Sequence, residues 1–429
     1  MPLSFCLTKP LTLTVTHGTL TDTTLYTAWY AASILAKDSV MITRRLSKLS
    51  LLIGLSLVLA ACSGTSATTG GGGGAPAAGN GTAVAGAINV GAVLPLTGSS
   101  ASIGEDQRRG IELAVDKINK DGGVMGKTLN VIVEDSAGAA NAAIDAAKKL
   151  TTVDKVSAVM GEYSSGVTVP LGQFLQQAGV VHLNVGSSSP KIADIGNLSF
   201  SVIGLDTIAS KFASEQLIKR GYKKVAVLVP NNSYGQGVIK PFQDAFAAAG
   251  GTVTESVLYT EGQTSYRAEL DRIQKSSPDA ILYSAYGQDS AVINQQAFEG
   301  GLQKTPWFCI YLTMCTVDSA PATVQNQVGM DVNYIGPDGQ AYQAAYKAKY
   351  GKDFASTFSG YTYDATMMIA KAIDQAQSTS PKMIAEALTK IGKGYAGATG
   401  DITFDAKNQR STQPYLVLKY TDGKVVEVK

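Results

Sequence analysis

From position 88 onward the chain alternates short apolar runs with longer segments whose apolar residues recur every three or four positions. Ile88–Leu94 (INVGAVL) stops at Pro95 and predicts a buried strand. Glu105–Asp121 sets Ile111, Val115 and Ile118 on one stripe, with Ala114 between them, and closes at Gly122-Gly123, which predicts a helix. Strand Leu129–Glu134, helix Asn141–Leu150, strand Ala158–Met160, helix Val167–Ala178 and strand Val180–Leu183 follow. The rhythm resumes with helix Thr207–Arg220, strand Lys224–Val229, helix Tyr234–Ala249 and strand Val253–Leu258. Helix Tyr266–Lys275, strand Ala280–Tyr283, helix Ser290–Phe298 and strand Pro306–Leu312 complete this second set. Helices near Gln340–Tyr350, Tyr361–Gln375 and Pro381–Ile391 precede strands near Ile402–Phe404, Tyr415–Tyr420 and Lys424–Val428. Strand–helix repeats with short connections build parallel sheets covered on both faces. Two such sets with a common tail predict an α/β protein of two doubly wound lobes with a cleft between them.

The part before position 87 has another character. Arg44, Arg45 and Lys48 precede the apolar run Leu49–Leu59, which leads through Ala60 and Ala61 to Cys62. Eleven residues are too few for a permanent membrane span, which needs about 20, but fit a signal-peptide core. Basic flank, apolar run, small residues and Cys in this order look like a bacterial lipobox, with Cys62 as the lipid anchor after cleavage. Residues 41–61 are thus expected to be a lipoprotein signal peptide and residues 1–40 an over-extended start. Residues 62–86, rich in Gly, Ala, Ser and Thr, read as a flexible tether.

Composition narrows the chemistry. The 36 Lys and Arg against 34 Asp and Glu give a net charge of +2, unlike the basic excess of a nucleic-acid binder. Setting aside the five basic and two acidic residues before Cys62 leaves 31 against 32. No phosphate-binding loop, dinucleotide fingerprint, nucleophile elbow or zinc-protease motif occurs, and no cofactor or metal is expected. Beyond Cys62 the only His is His182, at the end of an apolar strand, where a packed ring is expected rather than a catalytic base. Cys309 and Cys315, an isolated pair in an exported chain, are expected to form a disulfide.

What remains is a set of hydroxyls where strands end. Ser164 and Ser165 lie in Gly161–Gly166 (GEYSSG), between a strand and the helix near Val167. Gly186, Ser187, Ser188 and Ser189 follow the next strand. In open α/β sheets ligands bind at the carboxyl ends of strands, and a helix N-terminus there suits an anionic group.

Together with Gly91–Gly98 (GAVLPLTG), the helix carrying RRGIELAVDKIN, Val133-Glu134-Asp135, Asn232–Gly237 (NSYGQG) and Tyr363-Asp364-Ala365, these segments resemble the type I periplasmic binding proteins of the Leu/Ile/Val-binding family. The resemblance spans nearly all of 87–429. It implies lobe 1 over 87–204 and 335–401, and lobe 2 over 205–334 and 402–429. A three-strand hinge would pass near Gly204, Tyr334 and Asp401. It further implies a lipid-anchored, extracytoplasmic, monomeric receptor that passes a small molecule to an ABC permease in the cytoplasmic membrane. Ser165 matches the carboxylate-binding Ser, Ser187 and Ser188 the pair for carboxylate and ammonium, and Tyr234 and Tyr286 the aromatic residues that close from lobe 2. Ile103 falls where the side-chain pocket is lined. The family's acidic residue for the ammonium would fall near Leu312, where there is none; Asp318 or Glu162 are the candidates to replace it. A branched-chain amino acid, an amide or urea-like compound and a small or aromatic carboxylate all stay open as ligands. A sensory module of the same fold, and a lipid-anchored serine hydrolase, are the alternative functions.

Overall fold

Strands buried on both faces organise the structure. The computed structural model describes residues 82–332, 339–354 and 356–428; the signal segment, Cys62, most of the tether and Tyr334 lie outside the described residues. The first sheet takes β1 (Ile88–Leu94), β2 (Leu129–Asp135), β3 (Ala158–Gly161), β4 (Val181–Asn184) and β5 (Ser199–Gly204), in the order β5-β4-β3-β1-β2 and all parallel. Its crossovers are α1 (Ala101–Lys120), α2 (Ala140–Thr152) and α3 (Ser165–Ala178). After Gly204 the chain runs through α4 (Asp206–Lys219) into a second sheet. That sheet holds β6 (Lys224–Pro230), β7 (Thr252–Tyr259), β8 (Ala280–Tyr283), β9 (Trp307–Ile310) and β10 (Val328–Val332), in the order β10-β9-β8-β6-β7. Helices α5 (Ser233–Ala248), α6 (Arg267–Lys275) and α7 (Gly287–Glu299) connect its strands.

The rest of the chain serves both lobes. Helices α8 (Gly339–Tyr350), α9 (Phe358–Ala376) and α10 (Pro381–Ile391) return to the first lobe, where α9 packs along α1. The hairpin β11 (Lys393–Gly397) and β12 (Gly400–Thr403) leads to β13 (Gln409–Arg410), which extends the first sheet beside β5. Only then do β14 (Tyr415–Thr421) and β15 (Lys424–Glu427) add an antiparallel edge to the second sheet.

The last crossing therefore falls between Arg410 and Tyr415, later than the Asp401 expected from sequence. The cause is Arg410, which is buried and whose guanidinium donates to Val202 O, Thr399 O, Thr399 Oγ1, Asp401 O and Thr412 O. Those bonds tie residues 399–412 to the first lobe. A second difference is the strand expected over 306–312, which ends at Ile310. Tyr311 adopts φ 62°, a left-handed conformation that breaks the extended run, and a turn of helix covers Leu312–Thr316.

Candidate functional site

The turns after β3, β4, β6, β8 and β9 meet around a small cavity of about 10 Å³. Lobe 1 contributes Tyr163, Ser164 and Ser165 from the β3–α3 turn, Gly186 and Ser188 after β4, and Phe358 at the start of α9. Lobe 2 contributes Tyr234 on α5, Tyr286 at the N-terminus of α7, and Tyr311 and Met314 after β9. Every lining side chain is uncharged. Close backbone approach shapes two of the turns. A Cβ on Gly186 would stand 2.8 Å from Tyr163 Cα, and one on Gly235 would stand 1.9 Å from Pro230 O. The latter explains why NSYGQG needs Gly after Tyr234.

Hydrogen bonds hold the lining residues in place. Asn232 caps α5, its Oδ1 accepting from Tyr234 N at 2.9 Å, while its Nδ2 donates to Tyr286 Oη at 2.6 Å and to Glu261 Oε2 at 2.8 Å. Tyr286 donates in turn to Glu261 Oε1 at 2.8 Å, and burial with the Glu261 charge holds its phenol well above the usual range. Tyr234 Oη lies 2.7 Å from Ser284 Oγ. Across the cleft, Tyr163 meets Tyr286 edge-on at 5.2 Å and donates to Met314 Sδ at 3.2 Å. At the rim, Gln288 N donates to Ser99 O at 3.3 Å. The two lobes are thus closed on one another.

Of the residues singled out from sequence, Ser164, Ser165, Gly186, Ser188, Tyr234 and Tyr286 line this cavity. Three others sit elsewhere. Ser187 is buried with its hydroxyl donating to Tyr163 O at 3.1 Å and Thr168 Oγ1 at 2.5 Å, which staples the two turns together. Ile103 is sealed in the core against other apolar side chains. Asp318 accepts from Ser102 Oγ at 3.0 Å, a second bond across the rim. Glu162 is fully buried, accepting from Ser136 Oγ at 2.7 Å and Ser164 N at 2.6 Å, and burial pushes its carboxyl up to about 7. Sequence reasoning missed Tyr163, Tyr311, Met314 and Phe358 as lining residues. The signal for Tyr311 and Met314 was available: both follow a strand end, the rule already used on lobe 1.

Two further expectations meet the structure here. His182 is held between Gly161 O (2.7 Å from Nε2) and Ser199 Oγ (2.9 Å from Nδ1), and burial lowers its pKa to about 4. It is a neutral packed ring, as expected, with both nitrogens engaged. The disulfide is corrected: Cys309 and Cys315 are free, buried thiols. Cys309 Sγ donates to Gln327 Oε1 and Cys315 Sγ to Ile310 O, each at 3.4 Å, and the two thiols lie close enough to interact with one another. Among the described residues no cluster of three His, Cys, Asp or Glu side chains could hold a metal ion.

The comparisons agree with this geometry. The family model for periplasmic binding proteins matches residues 87–424, and the chain belongs to that family. It is a solute-binding protein, not an enzyme, of a family that works outside the cytoplasm. Leu/Ile/Val-binding protein homolog 7 of Brucella abortus is 27% identical over 364 residues, covering 80% of this chain and 91% of that one. The substrate-binding protein of a Streptococcus pneumoniae branched-chain amino acid transporter, solved with isoleucine, superposes with a TM-score of 0.72 at 25% identity, covering 79% of this chain and 97% of that one. A solute-binding protein of an R. palustris ABC transporter, solved with benzoate, shares the fold with a TM-score of 0.72 at 18% identity, covering 80% and 96%.

Proposed function

We propose that this protein is the receptor of an ABC importer, anchored by lipid at Cys62, which captures a small carboxylate-bearing solute as a monomer and delivers it to a permease in the cytoplasmic membrane. One observation carries the reading: a small, uncharged, hydroxyl-lined cavity to which both lobes contribute at the carboxyl ends of their strands. The opening turn of α3, with Ser164 and Ser165, offers N–H groups and hydroxyls to a carboxylate. Gly186 and Ser188 complete the lobe 1 half, which binds first. Tyr234 and Tyr286 then close from lobe 2, and the Ser102–Asp318 and Ser99–Gln288 bonds fasten the rim. The aromatic walls suit an apolar side chain or ring, and the relatives' names point the same way, toward branched-chain amino acids and aromatic acids.

A thermal-shift panel of amino acids, amides and small aliphatic and aromatic acids tests this. A ligand at 100 times its Kd adds about 2.7 kcal/mol of stability. No shift with any carboxylate would end the reading. For the anchor, Cys62→Ala protein should leave the membrane fraction, and equal retention of the variant would remove the lipid from the account.

A further inference from the structure

A second cavity, of about 310 Å³, opens on lobe 2 at the amino ends of β9 and β10. The interlobe cavity lies at the carboxyl end of β9, and the two share no lining residue. The turn between α4 and β6, the segment 303–308 leading into β9 and the segment 323–328 leading into β10 form its walls. Pockets that take small organic molecules start at about this size, roughly 300–1,000 Å³.

Its charge is one-sided. Arg220 and Lys304 line it, and no Asp or Glu does. Neither cation has an ion-pair partner among the described residues. The one acid hydrogen-bonded to a lining side chain there is Asp422 in the β14–β15 turn. It is engaged with Gln325, whose Nε2 lies 3.5 Å from Asp422 Oδ1 and whose Oε1 accepts from Asp422 N at 3.2 Å.

Arg220 is held with one side free. Its Nη1 donates to Gln216 O at 3.1 Å and to Gln216 Oε1 at 3.0 Å, which uses both hydrogens of that nitrogen. Its Cζ stands 5.7 Å from the centroid of the Phe308 ring, so the guanidinium rests over an aromatic wall of the cavity. Nε and Nη2 remain, and that edge of a guanidinium grips a carboxylate with two parallel bonds. Burial holds the Arg220 guanidinium below its ordinary pKa, with the Tyr222 phenol opposing. An anion beside it offsets that lost solvation.

The other walls offer a ligand apolar surface. Trp307 Nε1 is spent on Leu302 O at 3.3 Å. The Gln327 amide is spent on Asn294 Oδ1 at 2.9 Å and on the Cys309 thiol at 3.4 Å. Both residues therefore close the cavity without competing for a polar group, while Tyr222, Pro306 and Phe308 present ring surface to it.

We propose that this cavity is a second ligand site, separate from the interlobe cleft, which takes an aromatic carboxylate. The carboxylate would sit on the free edge of Arg220 with Lys304 as the second cation, and the ring against Tyr222, Pro306 and Phe308. The site does not depend on the receptor reading above, because it uses none of the cleft's residues.

Titration calorimetry of the mature chain with 2-naphthoate, a two-ring acid suited to the larger cavity, tests it, with neutral 2-naphthamide as the control. The wild type should bind the acid at least about tenfold more tightly than the amide. Arg220→Gln should weaken the acid about 10- to 150-fold, the loss expected for hydrogen bonds to a charged group. Lys304→Gln changes an exposed side chain and should weaken it at least about threefold, with a shallower dependence on salt. Should Arg220→Gln fail to fold, the Lys304→Gln result decides. Wild-type affinity for the acid in a folded Arg220→Gln protein would place the binding elsewhere, the cleft included, and overturn the site. Equal affinity for acid and amide, or no binding of the acid by the wild type, would overturn it as well. Each of these results leaves the receptor reading standing.

Discussion

Ser187 and Ser188 are neighbours in sequence, and the structure separates their work, which makes them a matched pair for mutation. Ser187→Ala removes two buried hydrogen bonds, to Tyr163 O and Thr168 Oγ1, and leaves the Thr168 hydroxyl short of a partner. At about 0.5–1.5 kcal/mol for each neutral bond, the loss is roughly 1–3 kcal/mol of stability. Taking ~2.1 cal/mol/K per residue over a fold of roughly 340 residues, each kcal/mol moves Tm by about 1.4 °C. Ser187→Ala should therefore melt about 1.5–4 °C lower and bind ligand almost normally. Ser188 faces the cavity, so Ser188→Ala should melt within about 1 °C of wild type. It should lose a hydrogen bond to a charged ligand group, about 1.5–3 kcal/mol, and hence about 10- to 150-fold in affinity. Scanning calorimetry and titration calorimetry on the same preparations read the two quantities independently. If Ser187→Ala weakened binding as much as Ser188→Ala while keeping its Tm, the assignment of the two hydroxyls would be wrong.

Three more outcomes are expected. Glu162 has a folded pKa raised to about 7, above the unfolded carboxyl range, so its contribution is complete below about pH 4.5 and is lost as pH rises through 7. The stability of wild type relative to Glu162→Gln should thus fall by up to about 3 kcal/mol between pH 4.5 and 8 in chemical denaturation, and a pH-independent difference would contradict the buried, protonated carboxyl. Tyr286→Ala, losing the edge-on contact with Tyr163, should speed ligand dissociation at least about tenfold in stopped-flow with association little changed, whereas Tyr286→Phe keeps the ring and should change dissociation only a few-fold. A Cβ on Gly110 would stand 2.1 Å from Ser359 O where α1 crosses α9, so Gly110→Ala should cost about 1–3 kcal/mol by overpacking, and an unchanged unfolding midpoint would contradict that crossing.

What the sequence reveals depends on whether polarity reports burial. β1 and β6 read as strands because their buried residues are apolar. β5 (SFSVIG) was missed because two of its buried residues are serines, satisfied by His182 Nδ1 and Asn184 Nδ2 respectively. The hydroxyl crowns were legible as a site edge, yet nothing in a Ser-Ser-Ser run tells which hydroxyl turns to the cavity. Tyr163 and Phe358 read as core from composition, and they are core on one side and cavity wall on the other. The burial of Asp206 at the start of α4 gave no signal at all: an acidic residue in the first turn of a helix ordinarily complements the helix dipole at the surface, and only the packing of Gly237, Pro190 and Ser188 around it shows otherwise.

The late crossing at Arg410 also sets a timetable for synthesis. Lobe 1 lacks α9 until residue 376 has been made and lacks β13 until residue 410, while lobe 2 lacks its β14–β15 edge until residue 427. Chains emerge N-terminus first, at about 5–20 residues per second. Neither sheet can be completed until nearly all of the chain is outside the ribosome, so the two lobes mature together at the very end. The same arrangement means that loss of the last twenty residues would leave both the last crossing and the second sheet unfinished.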